Sequence, residues 1–149
     1  MSRAGGRLYP AHPLLGASVA VFREGRVLLA RRTQGPAAGL LALPGGLVEP
    51  GETMASAALR ELFEETGVRA DITGFNAHHE IISRDGDGRV RQHYVIASFV
   101  ANWQSGEGDI GPEASEIVWA SREEMAGLAL ADGIEGILTG AWVMAEGHT

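Results

Sequence analysis

Three glutamates close together are the residues of this chain best suited to chemistry. Glu61, Glu64 and Glu65 lie beside Arg60 in the stretch RELFEETG, residues 60–67. On a helix, residues three and four apart are neighbours, so these like charges would repel one another. Clustered carboxylate oxygens with little amine nearby are the ligands that Mg²⁺ or Mn²⁺ prefer. The stretch therefore predicts either a divalent-metal site or a solvated acidic helix face.

The surroundings of these glutamates favour the metal site. Glu52 adds a fourth carboxylate two residues before the predicted helix, and the Gly-rich stretch PGGLVEPG, residues 44–51, can bring backbone carbonyls close to an ion. At 100° per residue, the three glutamates fall on an arc of about 100° that also contains Ala57, with Glu65 at its border. A separate apolar arc of about 140° is predicted to be buried. Its members are Ala55, Ala58, Leu59, Leu62, Phe63 and Thr66.

Composition excludes several classes of function. The chain has 149 residues, 45% of them hydrophobic and 21% charged, which predicts one globular domain. A formal net charge of −7 argues against nucleic-acid binding, and an anionic substrate would need a local Arg cluster or a bound cation. No apolar run reaches the roughly 18 residues of a membrane span, and no export signal is present, so a cytoplasmic location is expected. The absence of Cys and Lys excludes disulfides, thiolate nucleophiles, Schiff bases and the P-loop lysine.

The pattern of elements indicates an α/β chain. Residues 16–32 read as a β-hairpin around Glu24 and Gly25, and residues 39–46 as a short apolar run ending in a Pro-Gly-Gly loop. A helix is predicted over residues 54–66, with Gly67 as its left-handed stop. Strands are predicted at about 72–82, 90–101 and 116–120, then a helix near 122–128 capped by Ser121 and Glu124, and a last helix over 133–144.

A longer motif contains the acidic stretch. Its constrained positions are Gly46, Glu52, Arg60, Glu61, Leu62, Glu64, Glu65, Gly67 and Val68. This pattern resembles the complete Nudix box, and the stretches VAVFREGRVLLARR, LPGG and EIVWAS resemble its usual flanks, so the similarity covers about residues 16–125. The resemblance implies an α/β (α+β) fold, an α/β/α sandwich around a central mixed sheet. It also implies Mg²⁺- or Mn²⁺-dependent hydrolysis of a nucleoside diphosphate linked to another group.

The resemblance also implies roles for individual residues. Glu61 and Glu65, an i,i+4 pair, would be the main metal ligands, with the carbonyl of Gly45 completing the set. Glu64 would hold a second ion or its water. Arg60 would orient Glu64 or Glu61. Glu52 would support the loop near the substrate.

The sequence offers two candidate positions for the general base. It is either a carboxylate on a later loop, which is the preferred place, or a glutamate of the box, with Glu64 the next candidate. In GPEASEIVW, Glu113 suits a base on a loop, whereas Glu116 at a strand start suits a supporting position near the substrate; both residues can also be plain surface acids. Arg31 and Arg32 end a strand and are candidates for clamping a phosphate, with surface solubility as the alternative.

Substrate identity is the least constrained inference. Some ADP-ribose hydrolases of this family carry a Pro beyond the box, and dinucleoside polyphosphate hydrolases a Tyr, but residues 81–86, IISRDG, contain neither. The stretch HHEIISRDGDGRVRQHYVIASF resembles ADP-ribose or nucleotide-sugar hydrolases. A MutT-like nucleoside triphosphate pyrophosphohydrolase is the alternative, and a non-catalytic nucleotide-sensing module is the alternative of another class. The expected partner is a small nucleotide, and a homodimer is left open. His78 and His79 are adjacent on a predicted strand and face opposite ways, which disfavours a zinc site there.

Overall fold

The chain is described by a computed structural model that covers residues 7–34, 37–109 and 114–147. Its strands are β1 (Leu14–Arg23), β2 (Arg26–Arg32), β3 (Leu41–Ala42), β4 (Gly45–Leu47), β5 (Arg69–Arg84), β6 (Val90–Ser105) and β7 (Ala114–Ser121). Its helices are α1 (Met54–Thr66), a 3₁₀ helix (Glu124–Gly127) and α2 (Ile134–Glu146). The predicted helix over residues 54–66 is confirmed at both ends.

All seven strands belong to one mixed sheet. The order is β3-β2-β1-β6-β5, with β4 added to β1 and β7 added to β2. The pair β1–β6 is parallel, and the other pairs are antiparallel. The β1–β2 hairpin turns at Glu24 and Gly25, whose φ angles of 48° and 78° are those of a two-residue hairpin loop. The hairpin was expected from the residue pattern, and the mixed sheet was expected from the family resemblance.

The sheet separates two hydrophobic cores. The residues between the sheet and α1 are Ala17, Val19, Val21, Leu28, Ala57, Ala58, Leu62, Val68, Ala70 and Ala101. Those between the sheet and α2 include Ala20, Phe22, Val27, Leu29, Leu41, Val100, Ile137, Leu138, Ala141 and Trp142. Alternation along β1 and β2 sends odd and even positions to opposite cores. The predicted α/β/α sandwich is therefore confirmed. None of the helices among the described residues is long and apolar enough to cross a membrane.

Two local predictions were wrong. The Gly45–Gly46 step, expected as loop, forms strand β4 on the edge of β1. The helix expected near residues 122–128 is only the 3₁₀ turn Glu124–Gly127. The capping box itself is present, because the Ser121 N–H donates to Glu124 (3.0 Å) and the Glu124 N–H donates to Ser121 Oγ (3.3 Å). Beyond the turn, Leu130 forms a β-bridge with Leu41, and this pairing ends the helical path.

Candidate active site

Helix α1 carries the acidic residues, and its ends are fixed by local chemistry. Thr53 is the N-cap, with its Oγ1 accepting from the Ser56 N–H at 3.0 Å. At the other end Gly67 has φ 72° and its N–H donates to the Phe63 carbonyl at 2.8 Å, so the predicted left-handed stop is confirmed. Fixed ends set the rotation of every glutamate between them about the helix axis.

The face of α1 that is buried in the structure is rotated about the helix axis relative to the apolar arc predicted from the sequence. Ala57, expected among the glutamates, is fully buried, and Glu65, expected at the border, is 4% exposed. Phe63, expected in the core, is 44% exposed and lies under the Arg69 guanidinium, 4.2 Å from the ring centroid. The cause is β4, whose short glycine-rich backbone lies beside the acidic edge of α1 and draws that edge inward.

The register of β4 determines which of its backbone groups face α1. Ala17 opposes Gly46, and the flanking ladder hydrogen bonds run from the Val19 N–H to the Pro44 carbonyl (3.1 Å) and from the Val48 N–H to the Leu15 carbonyl (3.0 Å). In an antiparallel pair these bonds recur at every second residue. Gly45 and Leu47 therefore turn their N–H and carbonyl groups away from β1.

Two contacts confirm that this outer edge of β4 faces α1. The Gly45 N–H donates to Glu65 Oε2 at 3.4 Å, and the Leu47 carbonyl accepts from Arg60 Nη2 at 3.1 Å. The Gly45 carbonyl, expected as a metal ligand, lies on the same edge between these contacts. The structure thus brings Gly45 and Glu65 together, although the residues are 20 positions apart in sequence.

Glu61 lies directly against Gly46. A Cβ added at Gly46 would lie 2.4 Å from Glu61 Cδ and 2.6 and 2.7 Å from its two oxygens. The absence of a side chain at Gly46 is what lets this carboxylate occupy the β4 surface. The three glutamates are graded in exposure. Glu65 is buried, whereas the side chains of Glu61 and Glu64 are 14% and 56% exposed.

Arg60 links the acidic groups to one another. Its Nε and Nη2 donate to the two oxygens of Glu52 at 2.7 and 2.9 Å, a bidentate pair, and its Nη1 donates to Glu61 Oε1 at 2.9 Å. Nη1 also contacts Glu64 at 3.3 Å. The hydrogen bond to Glu52, followed by that to Glu61, raises the pKa of Arg60 above its usual range. Arg60 is therefore a permanent cation that contacts both glutamates it was expected to orient.

Glu52 braces the loop that precedes α1. Besides the Arg60 pair, its Oε1 accepts from the Glu49 N–H at 2.9 Å. Both carboxylate oxygens are thus directed at the loop and at Arg60. Glu52 therefore holds the loop to Arg60, and its place near a substrate remains a prediction.

The donor set fits a divalent ion that keeps some of its own water. Among residues 7–34, 37–109 and 114–147, no three His, Asp or Glu side chains come together in an arrangement that could by itself hold a metal ion. What the fold provides is Glu61 and Glu65 with the Gly45 carbonyl edge, and Glu64 at the solvent side. Mg²⁺ is usually bound through one or two carboxylates plus waters and substrate phosphates. The open arrangement suits that mode of binding.

Other candidates for the site lie elsewhere. Arg31 and Glu116 are a cross-strand pair with a 2.7 Å ion pair, and Arg31 Nη1 donates to the Gly39 carbonyl at 2.8 Å. By alternation they share the sheet face of Leu29 and Val118, which is the α2 side and not the α1 side.

Arg32 and the later loop complete the set of expected residues. Arg32 follows a bulge and opposes Ala114. Glu113 lies outside the described residues. Contacts of Arg31, Arg32 and Glu116 with a substrate remain predictions, as does the role of Glu113.

Two backbone groups of the site were not predicted from the sequence. The Leu47 carbonyl and the Glu49 N–H hold the Arg60–Glu52 pair, yet both are main-chain groups with no signature in residue type. Their part depends on strand register and loop closure, which only the folded chain defines.

Comparison with known proteins identifies relatives of several activities. The NUDIX domain family model matches residues 12–138. An ADP-ribose pyrophosphatase of Methanocaldococcus jannaschii is 34% identical over 74% of this chain, which spans 62% of that relative's length. An RNA pyrophosphohydrolase of Erythrobacter litoralis is 34% identical (69% of this chain, 72% of the relative), and a CTP pyrophosphohydrolase of Escherichia coli 35% identical (70% and 73%).

Solved structures agree with the fold. The NUDIX domain of Shewanella oneidensis NrtR complexed with ADP ribose superposes with a TM-score of 0.73 at 25% identity, covering 93% of this chain and 90% of that one. A bifunctional NMN adenylyltransferase/ADP ribose pyrophosphatase of Francisella tularensis, complexed with AMP and a Mn ion, superposes with a TM-score of 0.65 at 25% identity (93% of this chain, 42% of that one). The motif of residues 46–68, the sandwich and the family match together show that the chain belongs to the Nudix family of hydrolases.

Proposed function

We propose that this protein hydrolyses the pyrophosphate bond of a nucleoside diphosphate linked to another group, and that it requires Mg²⁺ or Mn²⁺. One observation carries the proposal: Glu61 lies on the Gly46 backbone while Glu65 meets the Gly45 N–H, so two carboxylates and a strand edge converge. The buried Glu65 carboxylate lies on the same strand edge as the Gly45 carbonyl, where a bound cation would lower the cost of its burial. A non-catalytic module could lose these carboxylates without penalty, so the complete set favours a hydrolase.

The protein's own groups have distinct parts in this reaction. Glu61, Glu65 and the Gly45 carbonyl would hold the ion, and Glu64, the most exposed of the three glutamates, would serve a second ion or its water. A divalent ion at this site supplies charge neutralisation for the phosphates and lowers the pKa of water to a useful range. Arg60 holds Glu61 and Glu64 in fixed directions through its contacts at 2.9 and 3.3 Å.

Electrostatics explains why the carboxylates without a bound cation could not bind a pyrophosphate. The chain carries a net charge of −7, and the nearest arginine, Arg60, already binds Glu52 through two hydrogen bonds. A pyrophosphate brought to this edge would meet repulsion without an added cation. Activity is therefore expected to depend wholly on the divalent ion.

Glu113 is the proposed general base. In the sequence it stands between Pro112 and Ala114, and a carboxylate free to approach a bound substrate from there would suit a gating base. Glu64 is the alternative base, since its exposed carboxylate lies on α1, the helix that also carries Glu61 and Glu65.

ADP-ribose or a nucleotide sugar is the proposed substrate class. The support is the similarity to an ADP-ribose pyrophosphatase over 74% of this chain and to a domain complexed with ADP ribose over 93%. A nucleoside triphosphate is the second candidate, because a relative of 35% identity is a CTP pyrophosphohydrolase.

A substrate panel tests both candidates. Purified protein is incubated with ADP-ribose, UDP-glucose, CTP and 8-oxo-dGTP in Mg²⁺ or in EDTA, and the products are resolved by ion-exchange chromatography. We expect the highest kcat/KM with ADP-ribose or UDP-glucose and no turnover in EDTA. A higher kcat/KM with CTP or 8-oxo-dGTP would transfer the assignment to the triphosphate class. Turnover by none of the four, together with no Mn²⁺ binding, would refute a hydrolase.

Glu65→Gln and Glu135→Gln form the matched pair for this assay. Glu135 lies in the first turn of α2, on the other side of the sheet, and is exposed. Glu65→Gln should lower kcat by about a hundredfold or more, and Glu135→Gln should leave it at the wild-type level. Equal rates for the two variants would contradict the proposed site.

A further inference from the structure

A short segment connects two tryptophans to the end of α1. Residues 106–109, GEGD, follow β6 and are named here the strap. The Trp103 indole N–H donates to the Gly106 carbonyl at 2.6 Å, and the Trp119 indole N–H donates to the Glu107 carbonyl at 3.0 Å. Consecutive carbonyls are thus held by indoles from two different strands, β6 and β7.

An ion pair reinforces the same segment. Arg23, the last residue of β1, donates to the Glu107 carboxylate at 2.8 and 3.3 Å. Its guanidinium also stacks on the Trp103 ring, 3.9 Å from the centroid, and lies 5.7 Å from that of Trp119. The ends of three strands therefore hold the strap.

The strap is fitted closely to the turn that ends α1. Gly106 has φ 93°, and a Cβ there would lie 2.6 Å from the Gly67 carbonyl oxygen. Gly108 has φ 96°, and a Cβ there would lie 2.9 Å from Ile117 Cγ2. Both positions demand glycine by backbone angle and by space, so the path of the strap is specific.

The strap also satisfies the last carbonyl of α1. The Asp109 N–H donates to the Thr66 carbonyl at 2.7 Å. Thr66 is the final residue of α1, and the last four carbonyls of a helix have no partner within it. Thr66 directly follows Glu65, the buried carboxylate that meets Gly45. A shift of this turn would carry Glu65 with it.

We propose that Trp103 and Trp119 are positioning residues for Glu65. They hold the strap, the strap holds the last turn of α1, and that turn sets the position of the carboxylate against β4. This inference rests on the proposed function, because Glu65 needs a fixed position only if it binds the divalent ion. Both tryptophans also pack against the core between the sheet and α1, and their indole hydrogen bonds connect them to the last turn of α1 through the strap.

The test uses the double variant Trp103→Phe, Trp119→Phe and the control Trp142→Phe. Trp142 also donates its indole N–H, to Met125 Sδ at 3.0 Å, but it is buried on the α2 side of the sheet. The control therefore loses one indole hydrogen bond, to a sulfur acceptor, and one indole ring away from the strap, whereas the double variant loses two indole hydrogen bonds and two rings. Two quantities are measured on each protein: hydrogen exchange of the amides in residues 63–68, and Mn²⁺ affinity from free Mn²⁺ detected by electron paramagnetic resonance.

We expect the double variant to exchange those amides about three- to tenfold faster and to bind Mn²⁺ about three- to tenfold more weakly, the range expected for loss of ordinary hydrogen bonds. Trp142→Phe should lower the melting temperature without either effect. Unchanged exchange in the double variant, or faster exchange with unchanged Mn²⁺ affinity, overturns the inference. Equal losses of affinity in the control also overturn it.

A second pair covers the case in which the double variant does not fold. Arg23→Gln removes the ion pair with Glu107, and Arg122→Gln removes the exposed ion pair with Glu146 at 2.9 Å as its control. Only Arg23→Gln should speed exchange in residues 63–68 and weaken Mn²⁺ binding. Wild-type protein that binds no Mn²⁺ would refute the proposed function, whereas the exchange data would still decide whether the strap holds the turn.

Discussion

Gly46→Ala should disable the site while leaving the fold intact. The new Cβ would lie 2.4 Å from Glu61 Cδ, whereas ordinary contact begins at 3.4 Å, so the carboxylate must move by about 1 Å. The displaced group is the far end of a flexible side chain, so the stability cost should lie at the low end of the range for overpacking, about 1 kcal/mol. A misplacement of about 1 Å at a reacting centre costs about a hundredfold in rate. We therefore expect about a hundredfold loss of kcat and weaker Mg²⁺ binding.

Two other glycines provide the matched controls. A Cβ at Gly45 would lie 2.4 Å from the Ala17 carbonyl oxygen and 2.8 Å from Ser18 Cα, which are backbone atoms that cannot move aside. Gly45→Ala should therefore lower the melting temperature strongly. A Cβ at Gly86 meets nothing within 4 Å, so Gly86→Ala should change neither stability nor activity.

The assay combines Mg²⁺ titration of hydrolysis with thermal unfolding followed by circular dichroism. The double variant Gly46→Ala, Glu61→Gln should be no worse than the poorer single variant, because both substitutions act on one carboxylate. Wild-type activity in Gly46→Ala would refute the placement of Glu61 at the site. Loss of folding in Gly46→Ala to the extent seen in Gly45→Ala would show that Gly46 is structural only.

The remaining predictions concern the ion, the carboxylates and pH. EDTA should abolish hydrolysis and Mg²⁺ or Mn²⁺ restore it, with activity rising toward alkaline pH because the attacking water must be deprotonated; full turnover in chelator would contradict this. Glu61→Gln and Glu65→Gln should each cost about a hundredfold or more in kcat with an unchanged circular dichroism spectrum, and an unfolded variant would mark a structural carboxylate. Glu113→Gln should lower kcat with little change in metal affinity and Glu116→Gln should do less, whereas near-wild-type rates in both would return the base to α1. The pKa of Glu124 is lowered below its ordinary 4.5, first by the backbone N–H of Ser121, then by the Ser121 side chain and by Arg26. The ionised Glu124 therefore stabilises the fold above that pH, and this stabilisation is lost as the pH falls. Glu124→Gln should flatten this acid dependence of the melting temperature.

The sequence determined the elements whose signals are local. The bounds of α1 follow from the Thr53 cap and the Gly67 stop, which act within one turn of the chain. The turn at Glu24 and Gly25 likewise depends on two adjacent residues with positive φ. Helix geometry alone makes the glutamates of α1 neighbours, so their spacing, together with Glu52 and the Gly-rich stretch before the helix, predicted a divalent-metal site.

Only the tertiary structure decided which neighbours those elements meet. Phe63 lies outside the core and Ala57 within it because β4 packs along the acidic edge of α1, a contact between residues distant in sequence. The pairing of Arg31 with Glu116 on the α2 face likewise depends on the register of β2 and β7. Local signals fix the conformation of a segment, whereas the faces and edges it buries depend on strand register and long-range packing, which no window of adjacent residues contains.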